Sequence, residues 1–113
     1  MQELAVIHQT TELFIRDFRI DMEIPQLQET ELLDMIADVV AQLMEKRFEF
    51  LIQTLYRLDV DEDKMRNALA PTNPEPANLS LAKAILERQK RKVLTRHQYR
   101  SKKQNIDWFD FEL

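Results

Sequence analysis

The chain of 113 residues contains no glycine and no cysteine. Glycine usually occupies the positions where backbone adopts positive φ or approaches a phosphate closely, so its absence argues against a P-loop, a dinucleotide-binding fingerprint or a hairpin-rich fold. Without cysteine, neither disulfides nor thiolate chemistry is available, and a reducing cytoplasm is the expected compartment. This composition favours helices joined by turns of Pro, Asn and Asp.

Long apolar runs are also missing, so the sequence predicts no membrane-spanning segment, and the first residues lack the features of a signal peptide. Hydrophobic residues make up 44% of the chain and charged residues 32%, which is typical of a folded domain. A chain of this length is expected to form one domain that buries roughly 60–70% of the surface of its unfolded state.

Helical spacing of apolar residues predicts a first amphipathic helix over residues 2–17. Its apolar stripe consists of Leu4, Ile7, Thr11, Phe14 and Phe18. Residues 18–24 then alternate between apolar and polar, which is the period of a half-buried strand. Because a single strand has no partner in a helical chain, this segment is interpreted as an extended connector, with an edge strand that pairs with a second copy as the alternative.

Residues 27–58 carry the densest helical pattern, which the polar residues 45–47 interrupt. One long helix and two helices that meet near Lys46 both fit this pattern. Asp61 is placed to cap a short helix over residues 62–70, because its carboxylate accepts bonds from the first free N–H groups of a helix.

Three prolines in residues 71–76 predict a stiff loop, followed by a last helix that Asn78 or Ser80 caps. The residues that this helix is predicted to bury are Leu81, Ala82, Ile85, Leu86, Val93 and Leu94. The expected fold is therefore all-α, a small irregular bundle of four or five helices with a Pro-rich loop before the last, basic helix. Residues 1–103 form the single helical domain, and residues 104–113 form an acidic-aromatic C-terminal tail.

Candidate metal and catalytic motifs are incomplete. Residues 59–63 have the alternating acids of a calcium loop, but Lys64 and Ala70 stand where that loop requires glycine and a bidentate glutamate. His8 and His97 lie in different predicted helices, without a zinc-ligand spacing, and are interpreted as surface or half-buried residues. No nucleophile–base–acid spacing is present, so we expect no enzyme, no metal, no cofactor and no small-molecule substrate.

Charge is strongly polarised along the chain. Residues 83–103 carry nine Lys/Arg and one acid, whereas the net charge is −9 for residues 1–82 and −3 for residues 104–113. Arg88, Lys92, Arg96 and Arg100 recur every four residues, as in one helical stripe. Such a stripe fits the phosphate backbone of a nucleic acid, an acidic surface of the same chain or of a second subunit, or plain solvation.

The C-terminal tail places three aromatic residues, Trp108, Phe109 and Phe111, among three acids. Short acidic-aromatic segments bind grooves on partner proteins, where the aromatic side chains contribute most of the binding energy and the acids steer association. The alternative is that Trp108 and Phe111 fold back onto the core of their own chain.

The segment Leu55-Tyr56-Arg57-Leu58-Asp59-Val60 and the later segment Ile85-Leu86-Glu87-Arg88-Gln89 resemble motifs of a family of small uncharacterised bacterial proteins, mostly from Bacteroidetes. The resemblance covers roughly residues 10–100 and implies an intact, small cytoplasmic bacterial protein. No activity is established for that group, so it implies no site residues. A charge-assisted clamp that fastens the turn, from Arg88 to Asp59 or from Glu87 to Arg57, is a physical hypothesis for these residues.

Together these features predict a non-catalytic protein-interaction or adaptor protein that self-associates, as a dimer. The candidate partner-binding residues are Arg88, Lys92, Arg96, Arg100, Trp108, Phe109 and Phe111. The alternative is a nucleic-acid-associated protein that uses the basic helix, residues 83–103.

Overall fold

Residues 3–111 fold into five α-helices, within the four or five that the sequence predicts. The structure is a computed structural model that describes the backbone of residues 3–111 and the side chains of residues 3–99. The helices are α1 (Glu3–Asp17), α2 (Glu29–Lys46), α3 (Phe48–Arg57), α4 (Glu62–Leu69) and α5 (Ala77–Phe111). No strand occurs in residues 3–111, which confirms the all-α prediction. No helix in that range combines the length and the apolar character needed to cross a membrane.

The long helix α5 organises the fold, because α1, α2 and α4 all pack against it. Helix α2 lies antiparallel to the first half of α5: Lys90 contacts Glu29 at the start of α2, and Asn78 contacts Ala37 further along. All five helices contribute to one core. Its fully buried members include Phe14, Leu32, Ile36, Leu51, Leu55, Leu81 and Ile85.

The break at Arg47 separates α2 from α3, so the two-helix alternative is correct. Arg47 has φ −146° and ψ 56°, and its N–H donates to the carbonyl of Leu43 at 2.8 Å. Its guanidinium lies over the ring of Phe50, 4.4 Å from the centroid. Residues 45–47 are all charged and exposed, so no burial favours a continuous helix at this point.

The segment after α1 is a connector, as predicted. Residues 18–28 contain no strand or helix, and Phe18 is buried whereas Met22 and Ile24 are exposed. Ile20 is partly buried against the core, so the alternating apolar residues are covered at the start of the segment and exposed at Met22 and Ile24. Pairing of this segment with a second copy stays a prediction.

Two helices end with a left-handed residue although the chain has no glycine. Arg19 (φ 55°) follows α1 and Asp59 (φ 63°) follows α3. After α1, the N–H of Arg19 donates to Arg16 and the N–H of Ile20 to Ile15, at 3.1 and 3.0 Å. The same pair of bonds closes α3, where Val60 donates to Leu55. These are Schellman motifs, in which glycine is the usual left-handed residue because it has no Cβ.

Arg19→Gly is expected to raise the free energy of unfolding by about 0.5–1 kcal/mol. The left-handed region costs a non-glycine residue about 1–2 kcal/mol, and the larger entropy of glycine in the unfolded chain offsets part of the gain. Urea denaturation measures the change. The control is Arg16→Gly, inside α1 and equally exposed, which should lose about 0.5–1 kcal/mol. Equal destabilisation by both substitutions would contradict the strain at Arg19.

Helix α4 begins as predicted, because the Asp61 carboxylate accepts from the N–H of Asp63 at 2.8 Å and of Lys64 at 3.4 Å. The predicted cap of α5 is wrong. Helix α5 begins at Ala77, and the carbonyl of Pro76 accepts the first N–H bonds.

The side chains of Asn78 and Ser80 are used elsewhere. Asn78 donates to the carbonyl of Ala37 at 3.2 Å, and the hydroxyl of Ser80 donates to Glu75. Asn73 donates to Ser80 at 3.0 Å and to the carbonyl of Ala68 at 2.9 Å. These bonds fasten the Pro-rich loop to α5 and to the end of α4.

Two apolar residues that the sequence places in the core are exposed. Leu4 is 60% exposed and Leu94 is 39% exposed. Leu94 lies past the level of Glu29, where α2 begins, so α2 does not cover it.

Candidate functional site

The basic residues in the first half of α5 contact acidic residues of their own chain. Lys90 pairs with Glu29 at 3.0 Å, and Lys83 pairs with Glu75. Glu87, on α5 itself, accepts from Lys64 at 2.7 Å and from Arg91 at 3.1 Å. This part of the basic helix therefore compensates the acidic body, one of the alternatives that the sequence left open.

These contacts lower the pKa of two carboxyl groups. Bonds from Lys83 and then Ser80 hold the pKa of Glu75 below its ordinary value. A bond from Lys64 does the same for the pKa of Glu87. Glu87 is exposed, Glu75 is half-buried and both are paired, so their environment is that of surface ion pairs rather than of a tuned acid or base.

Arg88 fastens the turn between α3 and α4. Its Nε donates to the carbonyl of Leu58 at 3.2 Å, and its Nη2 lies 3.6 Å from a carboxylate oxygen of Asp59. The positive guanidinium lies against the carbonyl end of α3, where the helix dipole favours a cation. The predicted clamp from Arg88 to Asp59 is present, and this sequence-predicted partner-binding residue is half-buried and engaged within the chain.

The alternative clamp, from Glu87 to Arg57, is wrong. Glu87 is engaged by Lys64 and Arg91, and Arg57 donates instead to the carbonyl of Asp17 at 2.8 Å. Arg57 thus joins the carbonyl end of α1 to the end of α3. Both helix ends lie beside the middle of α5.

Gln89 holds the end of α1 against α5. It is fully buried, and its Nε2 donates to a carboxylate oxygen of Asp17 at 2.9 Å. Its Oε1 has no hydrogen-bond partner among the side chains and backbone described. Sequence reasoning missed this residue as a structural contact, although a glutamine between two apolar positions of a buried helix face was a visible signal.

Lys92 lies half-buried beside this junction. Burial lowers the pKa of its ammonium group, and the nearby Arg88 lowers it further, whereas Asp17 and Asp59 act in the opposite direction. Lys92 is thus set among charges of both signs. Of the predicted stripe, Arg88 and Lys92 belong in this way to the body of the protein.

Arg96 differs from the other bases of the stripe whose side chains are described. It is exposed and takes part in no ion pair within residues 3–99. It lines a shallow cleft of about 250 Å³ between α1 and α5, next to His97. His97 is half-buried, as predicted, and its Nε2 lies 2.7 Å from Oε1 of Gln9. The side chains of Arg100, Trp108, Phe109 and Phe111 lie outside the described residues.

Helix α5 extends past the helix that supports its second half. Helix α1 runs antiparallel to it, since Asp17 contacts Gln89 and Gln9 contacts His97. Continuing this register places Glu3, the first residue of α1, level with about residue 103 of α5. The helix itself continues to Phe111. Its last turns, residues 104–111, include the first part of the acidic-aromatic segment, residues 107–113.

A groove of about 470 Å³ lies between the start of α2 and α5. Its floor is apolar, formed by Leu33, Leu86 and Leu94. The charged residues around it are Glu29, Lys83, Glu87, Lys90 and Arg91. Sequence reasoning missed this groove because it assigned Leu94 to the core, although Leu86, Lys90 and Leu94 recur at four-residue spacing on one helix face. An apolar floor with a charged rim is typical of a site for an amphipathic segment.

Comparison of the chain with protein-family models, with curated proteins and with solved structures gives no match.

Proposed function

We propose that the chain is a non-catalytic protein-interaction module that associates with a second copy of itself through α5. The supporting observation is that two short blocks of opposite charge lie in the C-terminal part of the sequence, the first inside α5 and the second beginning in its last turns. Residues 90–96 include four bases and no acid, and residues 107–113 include three acids and no base. Two copies of α5 in antiparallel orientation bring each basic block beside the acidic block of the other copy.

The two blocks cannot meet within one chain while α5 is a continuous helix. The centres of residues 90–96 and of residues 107–111 are about 16 residues apart, which corresponds to about 24 Å along the axis of α5. A symmetric dimer solves this, because a two-fold axis makes each contact twice with the same residues. Complementary charge of this kind directs which surfaces associate and speeds their encounter.

The exposure of Arg96 supports a contact with another chain. The other described bases of α5 contact their own chain or are half-buried, whereas Arg96 is exposed. It lies at the C-terminal end of the basic block, on the side of the helix extension. We include in the proposal that the protein acts in a bacterial cytoplasm, because the chain has no cysteine and resembles small bacterial proteins.

Light scattering after size exclusion tests the proposal on the full chain. We expect a dimer at about 50 mM salt whose dissociation constant rises at least about tenfold at 0.5 M salt, because screening shortens the range of exposed charges. Arg96→Glu should weaken the dimer at low salt by a similar factor. The matched control is Lys46→Glu, the same change of charge at an exposed residue of α2, which should leave the dimer intact. A monomer at both salt concentrations would overturn the proposal.

Nucleic-acid binding through residues 83–103 is the second candidate, and the exposure of Arg96 and Tyr99 favours it. The contact with nucleic acid is expected to involve less than the full stripe, because Arg88 is already engaged with Leu58 and Asp59. Titration with a single-stranded oligonucleotide separates the two proposals. Phosphate binding gives an affinity that falls steeply with salt, and Arg96→Gln would reduce that slope by about 1. No affinity at low salt would eliminate this candidate.

A further inference from the structure

We infer that the acidic-aromatic segment of a second copy, residues 107–113, binds in the groove between α2 and α5, with Trp108 beside Leu94. This inference rests on the proposed self-association and names its contact. It assigns an occupant to the groove and a role to the end of α5.

The groove offers apolar surface that the chain itself leaves open. Leu86 is 7% exposed and Val93 is 2% exposed, but Leu94 is 39% exposed because α2 begins at Glu29 and does not reach it. A volume of about 470 Å³ lies within the range of sites that enclose large side chains. Tryptophan is the residue most enriched at the energetic centres of protein interfaces, and the segment contains the only tryptophan of the chain.

The charge around the groove complements the segment. Three bases and two acids line it, a net charge of +1, and all five take part in ion pairs within the chain. The segment carries three acids and no base. An acidic occupant is therefore favoured over a basic one.

The helix register fits an antiparallel second copy. If Trp108 of the second copy lies level with Leu94, residues 107–111 of that copy span the levels of residues 91–95, which include Arg91 at the edge of the groove. Within one copy, Leu94 and Trp108 are 14 positions apart in α5, about 21 Å along its axis. The occupant of the groove thus comes from another chain. The contact is a helix in a groove, with an aromatic anchor and flanking charges.

The fluorescence of Trp108 in the full chain reports this contact directly. We expect its emission to move to shorter wavelength as protein concentration rises through the dimerisation range, because the indole leaves water. Leu94→Glu should abolish that shift and raise the dissociation constant at least about tenfold, although it leaves Trp108 itself unchanged. Leu94→Ala should act in the same direction with a smaller effect.

The matched control is Tyr56→Glu, which places the same carboxylate at an exposed aromatic residue of α3, 57% exposed and away from the groove. It should keep both the emission shift and the dimer. Circular dichroism establishes that each variant is folded. As a second measurement, excess of an acetylated peptide of residues 104–113 should convert the wild-type dimer to monomer, and the Trp108→Ala peptide should not.

The possible results separate the two proposals. If the dimer is salt-sensitive, Leu94→Glu does not weaken it and Trp108 still emits at long wavelength, the groove contact is overturned and self-association stands. Short-wavelength emission from a monomer would show that the segment folds onto its own chain, which overturns the groove contact. Long-wavelength emission from a chain that stays monomeric at all concentrations would overturn both.

Discussion

Phe14→Ala is expected to lower the free energy of unfolding by about 3–5 kcal/mol. Phe14 is fully buried near the C-terminal end of α1, and its ring lies 4.6 Å from that of Phe18, tilted by 40°. Truncation removes the apolar burial of the ring and leaves a cavity that the packed helices fill only in part. Small domains have a total stability of about 5–15 kcal/mol, so the variant should be partly unfolded at moderate urea concentrations.

Leu4→Ala is the matched control for that substitution, on the same helix and within the same predicted stripe. Because Leu4 is 60% exposed, its truncation should change the free energy of unfolding by no more than about 0.5 kcal/mol. Urea denaturation followed by circular dichroism measures both variants. Comparable losses from the two would mean that α1 is packed with a different face inward than the structure shows.

Gln89→Ala is expected to lower the free energy of unfolding by about 2–4 kcal/mol, the second largest effect. It removes a buried side chain and leaves Asp17 without its bond from Nε2, a loss of about 1–3 kcal/mol in a buried or half-buried setting. Asp17 stands in the last turn of α1, where the helix dipole disfavours a carboxylate. The bond from Gln89 offsets that disadvantage and joins α1 to α5.

A double-mutant cycle with Asp17→Ala isolates this bond, and we expect a coupling free energy of about 0.5–3 kcal/mol. Gln98→Ala, at an exposed position of the same helix, should fall within about 0.5 kcal/mol of the wild type. Additive effects of the Gln89 and Asp17 substitutions would show that the bond does not fasten α1. The loss at Gln89 would then come from packing alone.

These substitutions separate two parts of the basic helix that look alike in the sequence. Arg88 and Lys92 lie at the carbonyl ends of α1 and α3, where a cation is favoured, and their removal should act on stability. Arg96 lies beyond that junction and is exposed, so its removal should act on association. The four-residue spacing places Arg88, Lys92 and Arg96 on one drifting helical stripe, but it does not show which of them the other helices cover.

Local signals predicted several of the element boundaries. The Asp61 cap and the prolines at 71–76 act on neighbouring backbone, so the sequence placed both ends of α4 and the start of α5 to within a few residues, whereas the charged interruption at 45–47 left one long helix and two helices both open. The helical period also identified most of the core, including Ile36, Leu55 and Ile85. Capping side chains were predicted less well, since Asn78 and Ser80 found partners on other segments that are distant in sequence or lie in the preceding loop.

Tertiary structure alone decided which faces are covered and which charges are paired. The helical period of the sequence shows that Leu86 and Leu94 share a face of α5. Only the start of α2 at Glu29 leaves Leu86 buried and Leu94 at an open groove. The sequence shows that α5 is rich in bases. Only the packing of the ends of α1 and α3 against α5 brings the carboxylates of Asp17 and Asp59 to it. The physical reason is that periodicity and propensity are set by residues three or four apart, whereas burial and ion pairing depend on where separate helices end.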